Sequence, residues 1–172
     1  YAVKEGSALD CSGLWPGKEV KSRVVASKDG HLELEDNPGV PVAFQTVADQ
    51  GTTYNIHTAT KESTEKYVKQ LRVQGYNMVR FHYFDFALMG GAKEPLQFNE
   101  DLLNRIDYYI YCLKKNGIYL NLDAMCSRYG FELGNTWAPD NSDRDYNYDL
   151  FFKPAARKNW YEGVKKLLTH VN

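Results

Sequence analysis

Apolar and polar positions alternate through residues 23 to 36, R-V-V-A-S-K-D-G-H-L-E-L-E-D, on either side of Asp29-Gly30. Two alternating runs joined by Asp-Gly are the strongest short signal for a β-hairpin. After the turn-rich N-P-G-V-P at 37 to 41, the run Val42 to Ala48 is mostly apolar and predicts a strand buried on both faces. Spacing then changes to that of a helix. Thr60 is placed to cap it, Tyr67, Val68 and Leu71 form its apolar face, and Gly75 stands where a left-handed residue ends it. A second strand follows at Asn77 to His82. Asn99 caps a second helix with Leu102, Leu103, Ile106, Ile110 and Leu113 on one face, closed by Asn116-Gly117. Ile118 to Asp123 predicts a third strand. Pro154 opens a third helix that carries Trp160, Val164, Leu167 and Leu168.

A hairpin followed by βαβαβα implies an α/β fold with a parallel sheet and right-handed crossovers. Roughly 15 residues separate the second strand from its helix and about 30 follow the third, well above ordinary strand-to-helix loop lengths. The helix-to-strand connections are single glycine turns. Long loops confined to the carboxyl ends of parallel strands are the asymmetry of a (β/α)8 barrel, whose sites are built from those loops.

With 43% hydrophobic residues among 172, the chain can bury a core and is within the range of one globular domain. The formal net charge of -1, with Lys and Arg scattered, leaves no electrostatic footprint for nucleic acid or an anionic membrane. Thirteen Tyr, eight Phe and three Trp suit either stacking on sugar rings or ordinary packing. Cys11, Cys112 and Cys126 can form at most one bridge, and no C-x-x-C pair suggests zinc. No apolar run is long enough to span a bilayer, and the chain, opening on Tyr1, reads as a trimmed, soluble product.

Several chemistries drop out. Gly13 to Glu19 lacks the spacing and the Ser or Thr of a P-loop, and there is no G-x-S-x-G elbow. His31, His57, His82 and His170 form no H-x-x-x-H pair. Arg80 is the most informative residue, because an Arg within an apolar strand is expected to be desolvated and to need a carboxylate. It is either half of a structural salt bridge or part of a site. His82 shares its face by the period-two rule, with Val79 and Phe81 directed the other way. Asp85, just past the strand end, is a turn cap or a site residue. Asn121 and Asp123 share a face of the third strand, and Asp123 meets the long loop. Arg128 pairs with Asp123 or Asp85, or stays solvated. Trp137, Tyr146 and Tyr148 either wall a sugar site or pin the loop.

The stretch Gly75 to Asp85, G-Y-N-M-V-R-F-H-Y-F-D, resembles the clan A glycoside hydrolases of the cellulase-like family 5 type. D-G-H-L-E-L-E-D, N-E-D-L-L-N-R-I-D-Y-Y-I-Y-C-L-K-K-N-G-I-Y-L-N-L-D, S-R-Y-G-F and L-L-T-H-V-N follow in the order of that group's N-terminal part, from about residue 23 to the end. The resemblance implies a (β/α)8 barrel with an acid/base Glu after strand four and a nucleophile Glu after strand seven. It implies that Arg80 supports the nucleophile by hydrogen bonding, while His82 and the end of strand three line a sugar subsite. In place of the group's usual F-W-G-x-N first strand stands Phe44-Gln45-Thr46-Val47-Ala48, and Met125 falls where a sugar-binding His is common.

The expectation is an N-terminal segment with a β-hairpin over 1–40 and the first three βα units of a TIM-barrel glycosidase over 41–172. Function is expected to be the N-terminal portion of a retaining glycoside hydrolase, secreted or periplasmic, acting on polysaccharide or oligosaccharide. Its catalytic Glu pair lies beyond Asn172, so the chain alone is expected to be inactive. The supporting or substrate-binding residues are Arg80, His82, Asp85, Asn121, Asp123 and Arg128, with no metal and no cofactor. Expected partners are a carbohydrate substrate and the rest of the barrel or a second copy, with no nucleic acid and no membrane. The alternative is a non-catalytic carbohydrate-binding or structural protein derived from the same barrel.

Overall fold

The computed structural model describes residues 2–49, 54–82, 84–89, 94, 96–123 and 150–171. A 3-10 turn at Ser12–Leu14 precedes strands β1 (Val24–Ala26), β2 (Leu32–Leu34) and β3 (Asn37–Pro41). Then follow β4 (Thr46–Asp49), α1 (Lys61–Val73), β5 (Met78–Phe81), α2 (Phe84–Met89), α3 (Glu100–Lys115), β6 (Tyr119–Leu122) and α4 (Pro154–Thr169). The architecture is mixed α/β. One sheet is antiparallel, in the order β1-β2-β3; the other is parallel, in the order β4-β5-β6.

The hairpin forms where Asp29-Gly30 predicts it. Val24 pairs with Leu34 and Ala26 with Leu32, the Ser27 amide donates to the His31 carbonyl at 2.8 Å, and Gly30 takes φ +84°. The turn expected at 37 to 41 is instead the third strand. Pro38 lacks an N–H, but β3 is an edge strand with a register shift opposite Glu33 and Leu34, where that loss is tolerated. Gly39 turns its amide onto the Glu33 carboxylate at 2.7 Å.

Strand β4 is shorter than the expected Val42 to Ala48 and is not buried on both faces: among its residues only Asp49 is buried. The cause is Asn77, itself buried. Its side chain accepts from the Gln45 amide at 2.7 Å and donates to the Ala43 carbonyl at 3.0 Å, occupying backbone groups that a longer ladder would use. The Gln45 carbonyl accepts from the Asn77 amide and the Asp49 carbonyl from the His82 amide, so numbers rise together and the pairing is parallel.

Both predicted glycine stops are Schellman motifs. After α1, the Gly75 amide donates to Arg72 and the Tyr76 amide to Leu71; after α3, Gly117 donates to Lys114 and Ile118 to Leu113. Each left-handed glycine thus turns a helix end directly into the next strand. At the start of α1, Thr60 and Ser63 form a reciprocal capping box. Thr60→Ala leaves the Ser63 amide without its acceptor and is expected to cost about 1 kcal/mol, read as a lower urea midpoint, with Thr60→Ser close to wild type.

The chain divides into two compact units. The first holds Tyr1–Ala48, Thr60–Arg80 and Tyr108–Asn121, and its core is built on Val68, Leu71, Val79, Tyr109, Leu113 and Ile118. The second holds Asp49–Ala59, Phe81–Asp107 and Leu122–Asn172. There Phe81 stacks on Phe84 with centroids 5.5 Å apart, over a core of Leu88, Phe98, Leu102 and Ile106. Helix α2, which the hydrophobic spacing does not predict, lies in the long connection after β5. Arg105 ties down residues 56 to 59 by donating to the carbonyls of Ile56, His57 and Ala59 at 3.3, 2.7 and 3.2 Å.

Helix α4 starts at Pro154 as predicted, but its buried face is rotated. Ala156, Gly163 and Leu167 are buried and Trp160 packs against Leu150 and Ala156, whereas Leu168 is 69% exposed. The spacing of four, three and four residues follows one stripe of a 3.6-residue helix, and Leu168 falls outside it. His170 fixes the end of this helix. Its Nδ1 faces the Leu167 carbonyl at 2.6 Å and its Nε2 faces both Asp107 oxygens at 2.9 and 3.0 Å. Both partners accept only, so the ring satisfies both by carrying two protons. Burial works against that charge, but the Leu167 carbonyl and the Asp107 carboxylate outweigh it, with Glu100 adding to them, and hold the His170 pKa above its ordinary value. A folded-state pKa raised above the unfolded one stabilises fully below about pH 6.5, and the contribution disappears as pH rises through the folded value. Amide exchange at the end of α4 is therefore expected to accelerate with rising pH beyond its intrinsic base catalysis, and His170→Gln should abolish that excess.

Candidate functional site

Each parallel strand ends on a polar residue: Asp49 on β4, His82 just after β5 and Asp123 just after β6. The ladder places them on adjacent strands at matching depth. The His82 amide donates to the Asp49 carbonyl at 2.9 Å, and the Asp123 amide donates to the Phe81 carbonyl at 3.2 Å. All three belong to the second unit.

The decisive contact is between side chains. His82 Nδ1 is hydrogen-bonded to Asp123 Oδ2, with the two side chains only 16% and 20% exposed. A carboxylate can only accept, so Nδ1 carries the proton of this hydrogen bond. Asp123 thereby holds a proton on Nδ1 and orients the imidazole. An oriented imidazole beside a carboxylate at a strand end can accept a hydrogen bond from a sugar hydroxyl or relay a proton.

Of the residues singled out in the sequence, His82 and Asp123 are brought together. Arg80 is exposed rather than desolvated. Alternation along β5 sends Val79 and Phe81 into the buried layers, at 0% and 3% exposure, and leaves the other face to Arg80 and His82. Asn121 is exposed on β6. Asp85 lies within helix α2 rather than in a turn, because the chain re-enters helix at Phe84. Arg128 lies outside the described residues, as do Met125, Trp137, Tyr146 and Tyr148.

The hydrophobic pattern does not single out Asp49. Asp49 is fully buried and ends β4, one residue past the strand end at Ala48 that the apolar run predicts. A signal was there: T-V-A-D and L-N-L-D both end a short strand on an acid. Among the described residues no three His, Cys, Asp or Glu side chains converge as a metal-binding group. Cys11 and Cys112 are free thiols, and burial raises the pKa of Cys112. No protein-family model and no curated protein matches the sequence. Among the described residues no helix is long and apolar enough to cross a membrane.

Proposed function

We propose that this chain is the N-terminal portion of a retaining glycoside hydrolase of (β/α)8 architecture, acting on polysaccharide or oligosaccharide outside the cytoplasm. The observation that carries the reading is the His82–Asp123 pair, held at the carboxyl ends of adjacent parallel strands. Enzymes of that architecture build their sites at this edge. In a closed barrel the face of β5 that carries Arg80 and His82 turns inward, which accounts for polar residues on alternate positions of a strand otherwise apolar.

Retaining hydrolysis needs an acid/base and a nucleophile about 5 to 5.5 Å apart, and no metal. Those two carboxyls come from strands four and seven, and this chain supplies groups that hold the sugar. By the resemblance, Arg80 would hydrogen-bond the nucleophile and His82, oriented by Asp123, would hydrogen-bond a sugar hydroxyl; Asp85, Asn121 and Arg128 are the other residues proposed to support or bind the substrate. Tyr161 and Leu168 on α4, 59% and 69% exposed, are apolar surface that further βα units or a second copy would cover.

The test is the coding sequence downstream of Asn172, together with turnover of β-glucan, mannan and aryl glycosides. An Asn-Glu at the end of a fourth strand is expected, with hydrolysis by the full-length protein and none by these 172 residues. Absence of that acid removes the hydrolase reading and leaves a carbohydrate-binding protein on the same scaffold.

A further inference from the structure

We infer that the first unit carries a ligand site of its own, which takes a sugar ring bearing one carboxylate. A cleft of about 550 Å³ lies between the segment around Trp15 to Ser22 and the residues Lys115 and Tyr119, a size suited to a small ring compound. It is built near the first residue of β6, Tyr119, and does not involve the strand-end pair.

One wall is aromatic and already ordered. Trp15 meets Tyr119 edge to face, with centroids 6.3 Å apart at 81°, and Phe44 supports Tyr119 at 5.5 Å. Trp15 is held at its backbone and at its ring. Arg72 donates to the Trp15 carbonyl, and the ring lies so close over Gly17 that an added Cβ there would sit 2.9 Å from Trp15 Nε1. Such a fixed amphipathic surface fits the C–H face of a sugar.

The polar groups choose among sugars. Lys115 is committed to Glu19 at 3.0 Å, and the Tyr119 hydroxyl donates to the Ser22 carbonyl at 2.9 Å. Lys18 and Lys21 also line the cleft, both exposed, and neither is ion-paired or hydrogen-bonded among the described residues. Asp36 and Ser22 line the cleft too, and the Ser22 hydroxyl, which accepts from the Asp36 amide at 3.1 Å, still has a proton to donate. Two ammonium groups against one carboxylate leave a single positive charge to be met. A uronate supplies one negative charge, and its hydroxyls match Asp36 and Ser22. A phosphate monoester, with charge near -2, would leave one negative charge unmatched beside Asp36.

The inference stands apart from the glycosidase reading, and its test touches neither His82 nor Asp123. Tryptophan fluorescence of the 172-residue chain is titrated with glucuronate, glucose and glucose 6-phosphate, with Trp15→Phe identifying the reporter. The expected result is a saturable change with glucuronate that Trp15→Phe removes, about three- to tenfold weaker binding of glucose, and weakening by salt. Lys18→Ala/Lys21→Ala, a surface change that should leave the fold intact, is expected to bring glucuronate down to the level of glucose. The inference is overturned by no saturable change, by a change that survives Trp15→Phe, or by glucose or glucose 6-phosphate binding as tightly as glucuronate.

Discussion

Gly117→Ala is expected to destabilise the first unit by about 2–4 kcal/mol, far more than the same change at Gly30. Both glycines have positive φ, +70° and +84°, and each alanine bears the cost of a left-handed backbone, about 1 kcal/mol. Their surroundings differ. A Cβ at Gly30 meets nothing within 4 Å, whereas at Gly117 it collides with the carbonyl oxygen of Gly17. Backbone cannot swing aside as a flexible side-chain tip can, and this carbonyl belongs to a segment held nearby by the Val20 amide donating to Lys114 at 2.9 Å and by the Lys115–Glu19 ion pair. Relief therefore requires either the N-terminal segment to lift or the Schellman turn into β6 to open. Urea denaturation of both variants is the measurement. Equal losses at the two positions would show that the Gly17 carbonyl yields freely.

That comparison also shows how the sequence encodes this fold. Local chemistry was legible: Thr60 and Asn99 cap their helices, Gly75 and Gly117 stop them, Pro154 opens α4, and Asp29-Gly30 makes the hairpin. Each depends on a few neighbouring residues whose type dictates the backbone. What depended on partners distant in the chain was not legible. The early end of the β4 ladder comes from Asn77, more than thirty residues on. The rotation of α4 that exposes Leu168 depends on what Trp160 and Leu167 pack against, and β3 exists only because β2 offers an edge to a segment rich in turn residues. For the candidate site, residue types and strand ends were readable, but the partner of Asp123 was not. Arg128 was one sequence neighbour able to pair with it, whereas parallel β5 and β6 bring in His82 from 41 residues away.

That pairing leads to the largest expected functional effect, in the full-length protein: Asp123→Asn lowers glycosidase turnover about 10- to 100-fold while leaving stability within about 1–2 kcal/mol. Asn keeps the shape of Asp but offers an amide with both a donor and an acceptor. If the amide NH2 turns toward His82, the ring must present a lone pair at Nδ1 in place of its proton, which alters the hydrogen bond that the ring offers to the sugar. If the amide oxygen faces the ring, the tautomer survives but the charge that steadies it is lost. His82→Ala removes the ring and is expected to cost at least as much, and the double variant should cost little more than His82→Ala alone, because Asp123 acts through the imidazole. A merely structural pair would behave differently: both variants would lower the urea midpoint while turnover of the folded fraction stayed within about twofold of wild type, and that outcome would remove the strand-end pair from the site.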